Sequence, residues 1–334
     1  MRIAFFETEA CEDDFIRREL SAHDLLLSPD KLAALTLPLD NDFEAISVFV
    51  NSRLDKQVLD YFPRLKFIAT RSTGYDHIDL PTCRARGIAV AYVPGYGDNT
   101  VAEFTFGLIL NLTRKIYSSV DQIKETGSFS LAGLRGMDLV GKTLGVIGTG
   151  RIGKEVIRIG RGFDMRIIAH DPYPDEQFAA LNSVEYLPLE NLLRRADVVT
   201  LHCPYNPSTH HLINQQNINF IKKGAYLVNT ARGAIVETQA LVNALSNGTL
   251  AGVGLDVLEE EGETKDELNL LRDGHPQEEK LRIVLQNHLL MRMPNVLVTP
   301  HNAFNSQEAL QRILDTSVAN IRGYLAGQPV NLAK

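Results

Sequence analysis

The chain has 334 residues, 44% of them hydrophobic and 22% charged, with a formal net charge of -7. That balance excludes a disordered or fibrous polypeptide and a disulfide scaffold, and it offers no general basic field to a nucleic acid. The length fits one or two domains with a sizeable core.

Cys11, Cys83 and Cys203 are far apart and show neither CxxC nor Cys/His zinc spacing, so a reducing cytoplasm is the expected setting and no metal site is expected. The opening MRIAFFETEA lacks the length and flanks of a signal peptide. No apolar run reaches the roughly 18 uncharged residues of a membrane span.

In chain order, short apolar runs alternate with amphipathic stretches, the pattern of helices covering a mostly parallel sheet, so the fold class is α/β. Strands are expected at RIAFFE (2–7), AISVFV (45–50), KFIATR (66–71) and IAVAYV (88–93). Between them LDKQVLDYF (54–62) places Leu54, Val58, Leu59 and Phe62 at helical spacing. After PGYGDN (94–99), the segment TVAEFTFGLILNLTRKI reads as a long helix crossing between two domains.

A second α/β series follows, with strands at TLGVIG (143–148), MRIIAH (165–170), DVVTLHC (197–203), AYLVNT (225–230), LAGVGLDV (250–257) and NVLVTP (295–300). Helices are expected at PLENLLRRA (188–196) and at ETQALVNALSNG (237–248), the latter stopped by Asn247 and Gly248. The acid-rich stretch from Glu259 to Glu279 reads as a solvated insertion, and EKLRIVLQNHLLMRM beyond it as a helix. NSQEALQRILDTSVANIRGYLAG (305–327) reads as one amphipathic helix with a break, placed to pack back on the first domain.

GTGRIG (148–153) sets Gly148, Gly150 and Gly153 directly after an apolar strand and before a helical run. The first glycine permits the tight turn, the second lets main chain approach a pyrophosphate, and the third lets helix and strand pack closely. The anion would sit on free N–H groups at the helix N-terminus. Asp171 lies 18 residues after Gly153, where an acid can accept hydrogen bonds from the adenosine ribose; its duller role is an Asp-Pro turn. No Arg or Lys follows within several residues, which favours NAD over NADP.

Three further strand ends carry unusual polar residues: Arg232 in NTARGA, Asp256 and Glu261 in GLDVLEEE, and His301 in TPHNAF. Hydride exchange with a 2-oxo acid needs such a set. An arginine grips a carboxylate through two parallel hydrogen bonds while polarising the adjacent carbonyl. A protonated histidine delivers the proton, and a neighbouring carboxylate favours the imidazolium and fixes its orientation. Cys203 has no base in a nucleophile arrangement, which argues against a thiol mechanism.

GTGRIG, HDP, NTARG, LDVLEEE and TPHNAF, in this order over nearly the whole chain, resemble the D-isomer-specific 2-hydroxyacid dehydrogenases. NVLVTPHNAFNSQEAL and RSTGYDHID look most like the D-lactate dehydrogenase branch. The resemblance implies Arg232 as substrate binder, Glu261 as partner of the histidine and His301 as acid/base. It implies that Asp256 holds the nicotinamide carboxamide and that Arg151, Ile152, Cys203, Pro204, Thr209, Thr230 and Ala231 touch the cofactor. Backbone N–H groups at Thr73 and Gly74 would cradle the substrate carboxylate, with Tyr96 lining the pocket.

It further implies two Rossmann-like or flavodoxin-like domains with the active site in the cleft between them, and a homodimer. The substrate domain is expected over 1–98 plus 301–334 and the NAD-binding domain over 99–300.

Each residue has a duller rival. Arg232 could be a structural cap, Tyr96 could merely pack, and an acidic run is normally solvated. Glu261 is preferred to Glu259 and Glu260 because it alone fits the family spacing, 29 residues from the arginine. His210 and His211 form a pair near a turn with no chemistry expected. The chain departs from the family at Phe104, often a histidine there, and in the 40-residue gap between Glu261 and His301, which seats an insertion over 262–293.

The expected function is NAD-dependent reduction of a small 2-oxo acid, pyruvate to D-lactate above others. Branched or aromatic 2-oxo acids and glyoxylate are the alternatives. Phosphoglycerate fits poorly because no extra cation cluster is present. An NAD-sensing corepressor is the rival outside enzymes, and it is disfavoured by the lack of long disordered tails.

Overall fold

The computed structural model describes residues 1–265 and 278–333. The middle of the expected insertion, 266–277, lies outside the described residues. Two compact units emerge, Met1–Tyr96 with Ser306–Lys334, and Gly97–Asn305. Each is built on a parallel sheet, so the α/β reading with two parallel sheets holds.

In the first unit the strands are β1 (Arg2–Phe6), β2 (Asp24–Ser28), β3 (Ala45–Val48), β4 (Phe67–Thr70) and β5 (Ala89–Ala91), in the order β2-β1-β3-β4-β5. Helices α1 (Ala10–Glu19), α2 (Lys56–Tyr61) and α3 (Leu80–Ala85) lie between them. Side chains alternate along each strand, so Ala4, Phe6, Ile46 and Ile68 feed one core with Val58, Leu59 and Phe62. Ile3, Phe5, Phe67 and Ala69 feed the other with Ile16 and the C-terminal helix (Gln307–Leu325). Burial on both faces explains why these strands read as apolar runs.

That last helix is continuous, which corrects the expected break. Ser306 caps it, its side chain accepting from Ala309 N at 3.2 Å. Leu314, Val318 and Ile321 anchor it on the sheet, and Tyr324 stacks on Phe67 at 4.3 Å. This packing on both sides of Gly323 outweighs the weak helix propensity of one glycine.

The second unit runs α4 (Asp98–Arg114), α5 (Ile116–Thr126), β6 (Thr143–Ile147), α6 (Arg151–Gly162), β7 (Arg166–His170), α7 (Glu176–Asn182), β8 (Val184–Tyr186), α8 (Leu189–Arg195), β9 (Val198–Leu201), β10 (Ala225–Asn229), α9 (Thr238–Ser246), β11 (Leu250–Leu255), α10 (Glu261–Lys265), α11 (Glu278–Arg292) and β12 (Val296–Val298). Its sheet order is β12-β11-β10-β9-β6-β7-β8. Connectivity reverses between β6 and β9, the switch point at which doubly wound sheets bind ligands beyond the strand C-termini.

The expected crossing helix lies wholly within this unit and is two helices, since Lys115 takes a left-handed φ of 54° between α4 and α5. Phe106, Ile109 and Leu112 of α4 join Leu144 and Val146 in one core. The helical expectation for 279–293 holds as α11. His301 belongs to this unit and not, as expected, to the other. Its N–H donates to Asp256 O at 2.9 Å, tying the chain past β12 to the end of β11.

Candidate active site

Gly148 closes β6 with φ +91°, and a Cβ there would stand 2.6 Å from Cys203 N. The turn after β6 is thereby pressed on the turn after β9. A Cβ on Gly153 would stand 2.1 Å from Gly148 O, whereas one on Gly150 meets nothing within 4 Å. Gly150 therefore faces open space, and among the described residues the N–H groups of Arg151, Ile152 and Gly153 find no backbone acceptor in the chain. Room, free donors and the positive end of α6 suit a pyrophosphate.

Asp171 ends β7 beside this turn, with Oδ2 accepting from Thr149 N at 2.7 Å and Thr149 Oγ1 at 3.0 Å and Oδ1 from Tyr173 N at 2.9 Å. The nearby Lys154 is paired with Asp175 at 2.5 Å. Gly153→Ala is expected to push the Gly148 turn outward and raise the Kd for NADH roughly tenfold or more, since overpacking costs about 1–3 kcal/mol. Fluorescence titration of the folded variant checks this, and unchanged affinity would refute the role of the turn.

The loop after β9 holds Cys203, Pro204 and Thr209. Thr209 Oγ1 donates to Pro204 O at 2.7 Å and accepts from Asn206 N at 2.8 Å, so its hydroxyl is engaged within the turn. Burial pushes the Cys203 thiol up to about 11, leaving no ready thiolate.

Burial also pushes His202 down to about 3, its Nε2 paired with Thr200 Oγ1. The unfolded ring protonates near about pH 6.5. Between there and the folded value the unfolded chain binds more protons, so stability is lost as the pH falls through that window. His202→Asn is expected to flatten the fall of Tm with acid, and an unchanged slope would refute the assignment.

Arg232, Glu261 and His301 follow β10, β11 and β12, three adjacent parallel strands. The fully buried Asn229 staples the arginine turn, its Nδ2 donating to Arg232 O at 2.8 Å and its Oδ1 accepting from Ala231 N at 3.0 Å. Thr230 Oγ1 pairs with Thr105 Oγ1 at 3.0 Å, and Arg232 Nη1 donates to Ala231 O at 2.8 Å. A Cβ on Gly233 would lie 2.0 Å from Leu258 C, so the arginine turn is in main-chain contact with the segment leading to Glu261.

His301 Nδ1 lies 3.2 Å from Glu261 Oε2 and 3.3 Å from Oε1. A carboxylate only accepts, so Nδ1 carries the hydrogen toward Glu261 and Nε2 is the ring's second proton-binding atom. His301 is left-handed at φ 55°, a conformation that an over-determined site can hold. Asp256 supplies part of that determination. Its carboxylate accepts from Thr299 Oγ1 at 2.5 Å, Asn302 N at 2.8 Å and Ala303 N at 2.8 Å, while burial raises its pKa. This leaves one lone-pair direction for a further donor.

In the other unit the loop after β4 is held by Thr73 Oγ1 donating to Val93 O at 2.7 Å and Ser72 Oγ to Gly74 O at 2.6 Å. Tyr96 O accepts from Arg312 Nε at 2.6 Å.

Sequence reasoning missed Glu259. The acidic run is not simply solvated: Glu259 is 8% exposed, and its Oε1 lies 2.6 Å from His211 Nε2. No periodicity marks which acid of three turns inward. Among the described residues no cluster of His, Cys, Asp and Glu is arranged to hold a metal, and no helix is long and apolar enough to cross a membrane.

Residues 106–303 match the family model described as D-isomer specific 2-hydroxyacid dehydrogenase, NAD binding domain. Over most of its length the chain is similar to 2-hydroxyacid dehydrogenase A of Aspergillus oryzae, at 38% identity covering 97% of this chain and 92% of the relative. It is likewise similar to the D-lactate dehydrogenase of Escherichia coli, at 34% identity and 98% of each. A crystal structure of D-lactate dehydrogenase from Aquifex aeolicus complexed with NAD and lactic acid superposes with a TM-score of 0.87 at 35% identity, covering 98% of this chain and 96% of that one.

Proposed function

The chain belongs to the D-isomer-specific 2-hydroxyacid dehydrogenase family and is an NAD-dependent oxidoreductase, and from that premise we propose that it reduces a small 2-oxo acid, pyruvate above others, to the D-2-hydroxy acid. The observation that carries the reading is the Glu261–His301 pair, 3.2 Å apart past two adjacent strands.

NADH, when bound, supplies the hydride. Gly148, Gly150 and Gly153 with the N–H groups of Arg151 and Ile152 hold its pyrophosphate, and Asp171 accepts from the ribose hydroxyls and repels a 2′-phosphate. Asp256 keeps one oxygen direction for the carboxamide, and the main chain at Cys203, Pro204, Thr230 and Ala231 with Thr209 lines the remaining cofactor surface.

Arg232 forks onto the substrate carboxylate and polarises the carbonyl, while the N–H groups of Thr73 and Gly74 take the carboxylate and Tyr96 limits the side chain. His301 holds the transferable proton on Nε2 and gives it to the oxygen that hydride transfer leaves as an alkoxide. Glu261 fixes the ring through Nδ1 and balances its charge.

We assign the protein to the cytoplasm as a homodimer that binds no nucleic acid. Three unpaired cysteines suit a reducing compartment. Exposed Ile116, Tyr117, Val120 and Ile123 form one face of α5, and Phe129, Leu131 and Val140 follow it exposed. An apolar surface of this extent favours a self-complementary partner.

The test is a panel of 2-oxo acids with NADH and with NADPH, followed by chiral analysis of the product. The reading expects the highest kcat/KM with pyruvate and NADH and D-lactate as product. A preference for phenylpyruvate or glyoxylate would replace the substrate, and L-lactate would overturn the geometry.

A further inference from the structure

The three acids after Leu258 meet three different fates. Glu259 points inward, where Oε1 pairs with His211 Nε2 at 2.6 Å and Oε2 accepts from Thr238 Oγ1 at 2.7 Å and Thr238 N at 3.2 Å, the first residue of α9. Glu260 turns the chain with a left-handed φ of 50° and sits 3.5 Å from Lys280 Nζ. Glu261 then opens α10 and meets His301.

The main chain of the same segment is also held from the insertion. The fully buried Asn287 of α11 donates from Nδ2 to Glu259 O at 2.8 Å and to Thr264 Oγ1 at 2.9 Å. Main chain at Leu258 and Glu259 meanwhile abuts Gly233, next to Arg232.

We infer that Glu259 is a positioning residue for the proposed proton-transfer pair: it ties the β11–α10 segment to the His211 loop and to α9, so that Glu261, one left-handed residue further on, faces His301. Asn287 gives the insertion helix a part in the same brace. The inference rests on the reading of Glu261 and His301 as the proton-handling pair. Physically, a carboxylate bonded on both oxygens and nearly removed from water has one low-energy orientation, and α10 is too short to set its own direction.

The test is a double-mutant cycle with kcat read at saturating NADH and pyruvate and the KM for NADH from a titration at saturating pyruvate. Glu259→Gln keeps the shape but weakens the bond to His211; kcat is expected to fall roughly tenfold while KM for NADH holds. In the Glu261→Gln background the same change is expected to cost no further activity, because there is no longer a carboxylate to aim. A role in general stability alone would give equal losses in both backgrounds, and that result, or no loss at all, overturns the brace.

If Glu259→Gln fails to fold, His211→Ala, at a side chain 30% exposed, carries the same cycle with the same criterion. An unchanged kcat in Glu261→Gln alone would overturn instead the reading of Glu261 on which the inference rests.

Discussion

Replacing His301 by asparagine is expected to lower kcat/KM for 2-oxo acid reduction by roughly 10² to 10⁴, the range spanned by a positioned general acid, while leaving the affinity for NADH within a few-fold. The variant isolates the chemistry from the fold for a local reason. His301 sits at φ 55°, and asparagine is among the few residues that tolerate this region without a glycine. The backbone bond from its N–H to Asp256 O does not involve the ring, and the loop beyond is held by Asp256 at Asn302 and Ala303. What asparagine cannot do is hold a titrating proton on the far side of a ring whose near side is bonded to Glu261. Steady-state rates with an NADH titration on the same sample check both halves, and activity within a few-fold of the native enzyme would place the acid elsewhere.

Much of the nucleotide side is legible in the sequence because two glycines of GTGRIG answer main-chain approaches that no side chain could survive, Gly148 against Cys203 and Gly153 against Gly148, while Gly150 faces open space. The strand-end residues are legible for a related reason. Parallel strands buried on both faces read as apolar runs, so a polar residue just past each run marks the sheet's C-terminal edge.

What escaped the sequence depends on long-range contact. β2 has only Leu25, Leu26 and Leu27 as its apolar core and pairs on one side of an edge position, too short for periodicity to separate from a turn. The last helix, expected to carry a break, runs unbroken from Gln307 to Leu325 because its anchors are on the sheet. Glu259 was hidden among identical neighbours, since its burial is decided by a left-handed residue and a histidine 48 positions away.

The same contrast between local shape and long-range contact sets the expectation for Arg232→Lys. The arginine turn is built by others: the Asn229 side chain bonds the main chain at Ala231 and Arg232, and Gly233 seats the turn on Leu258. Arg232 itself has an extended backbone, φ -145° and ψ 140°, that lysine adopts equally well, so the fold and the NADH site are expected to persist. The change keeps the charge and removes the planar fork that can hold a carboxylate through two parallel bonds while polarising the neighbouring carbonyl.

A lysine ammonium can serve one of these functions at a time, so the loss falls on the transition state as well as on binding. A cost of roughly 2 kcal/mol or more in kcat/KM is expected, near the range of about 2.7–4 kcal/mol seen when one oxyanion donor is removed from an enzyme. Initial rates over a pyruvate series give the number directly. A raised KM with unchanged kcat would assign Arg232 to ground-state binding of the carboxylate alone, a fall in both kcat and kcat/KM would place it on the developing alkoxide, and native kinetics would remove it from the reaction.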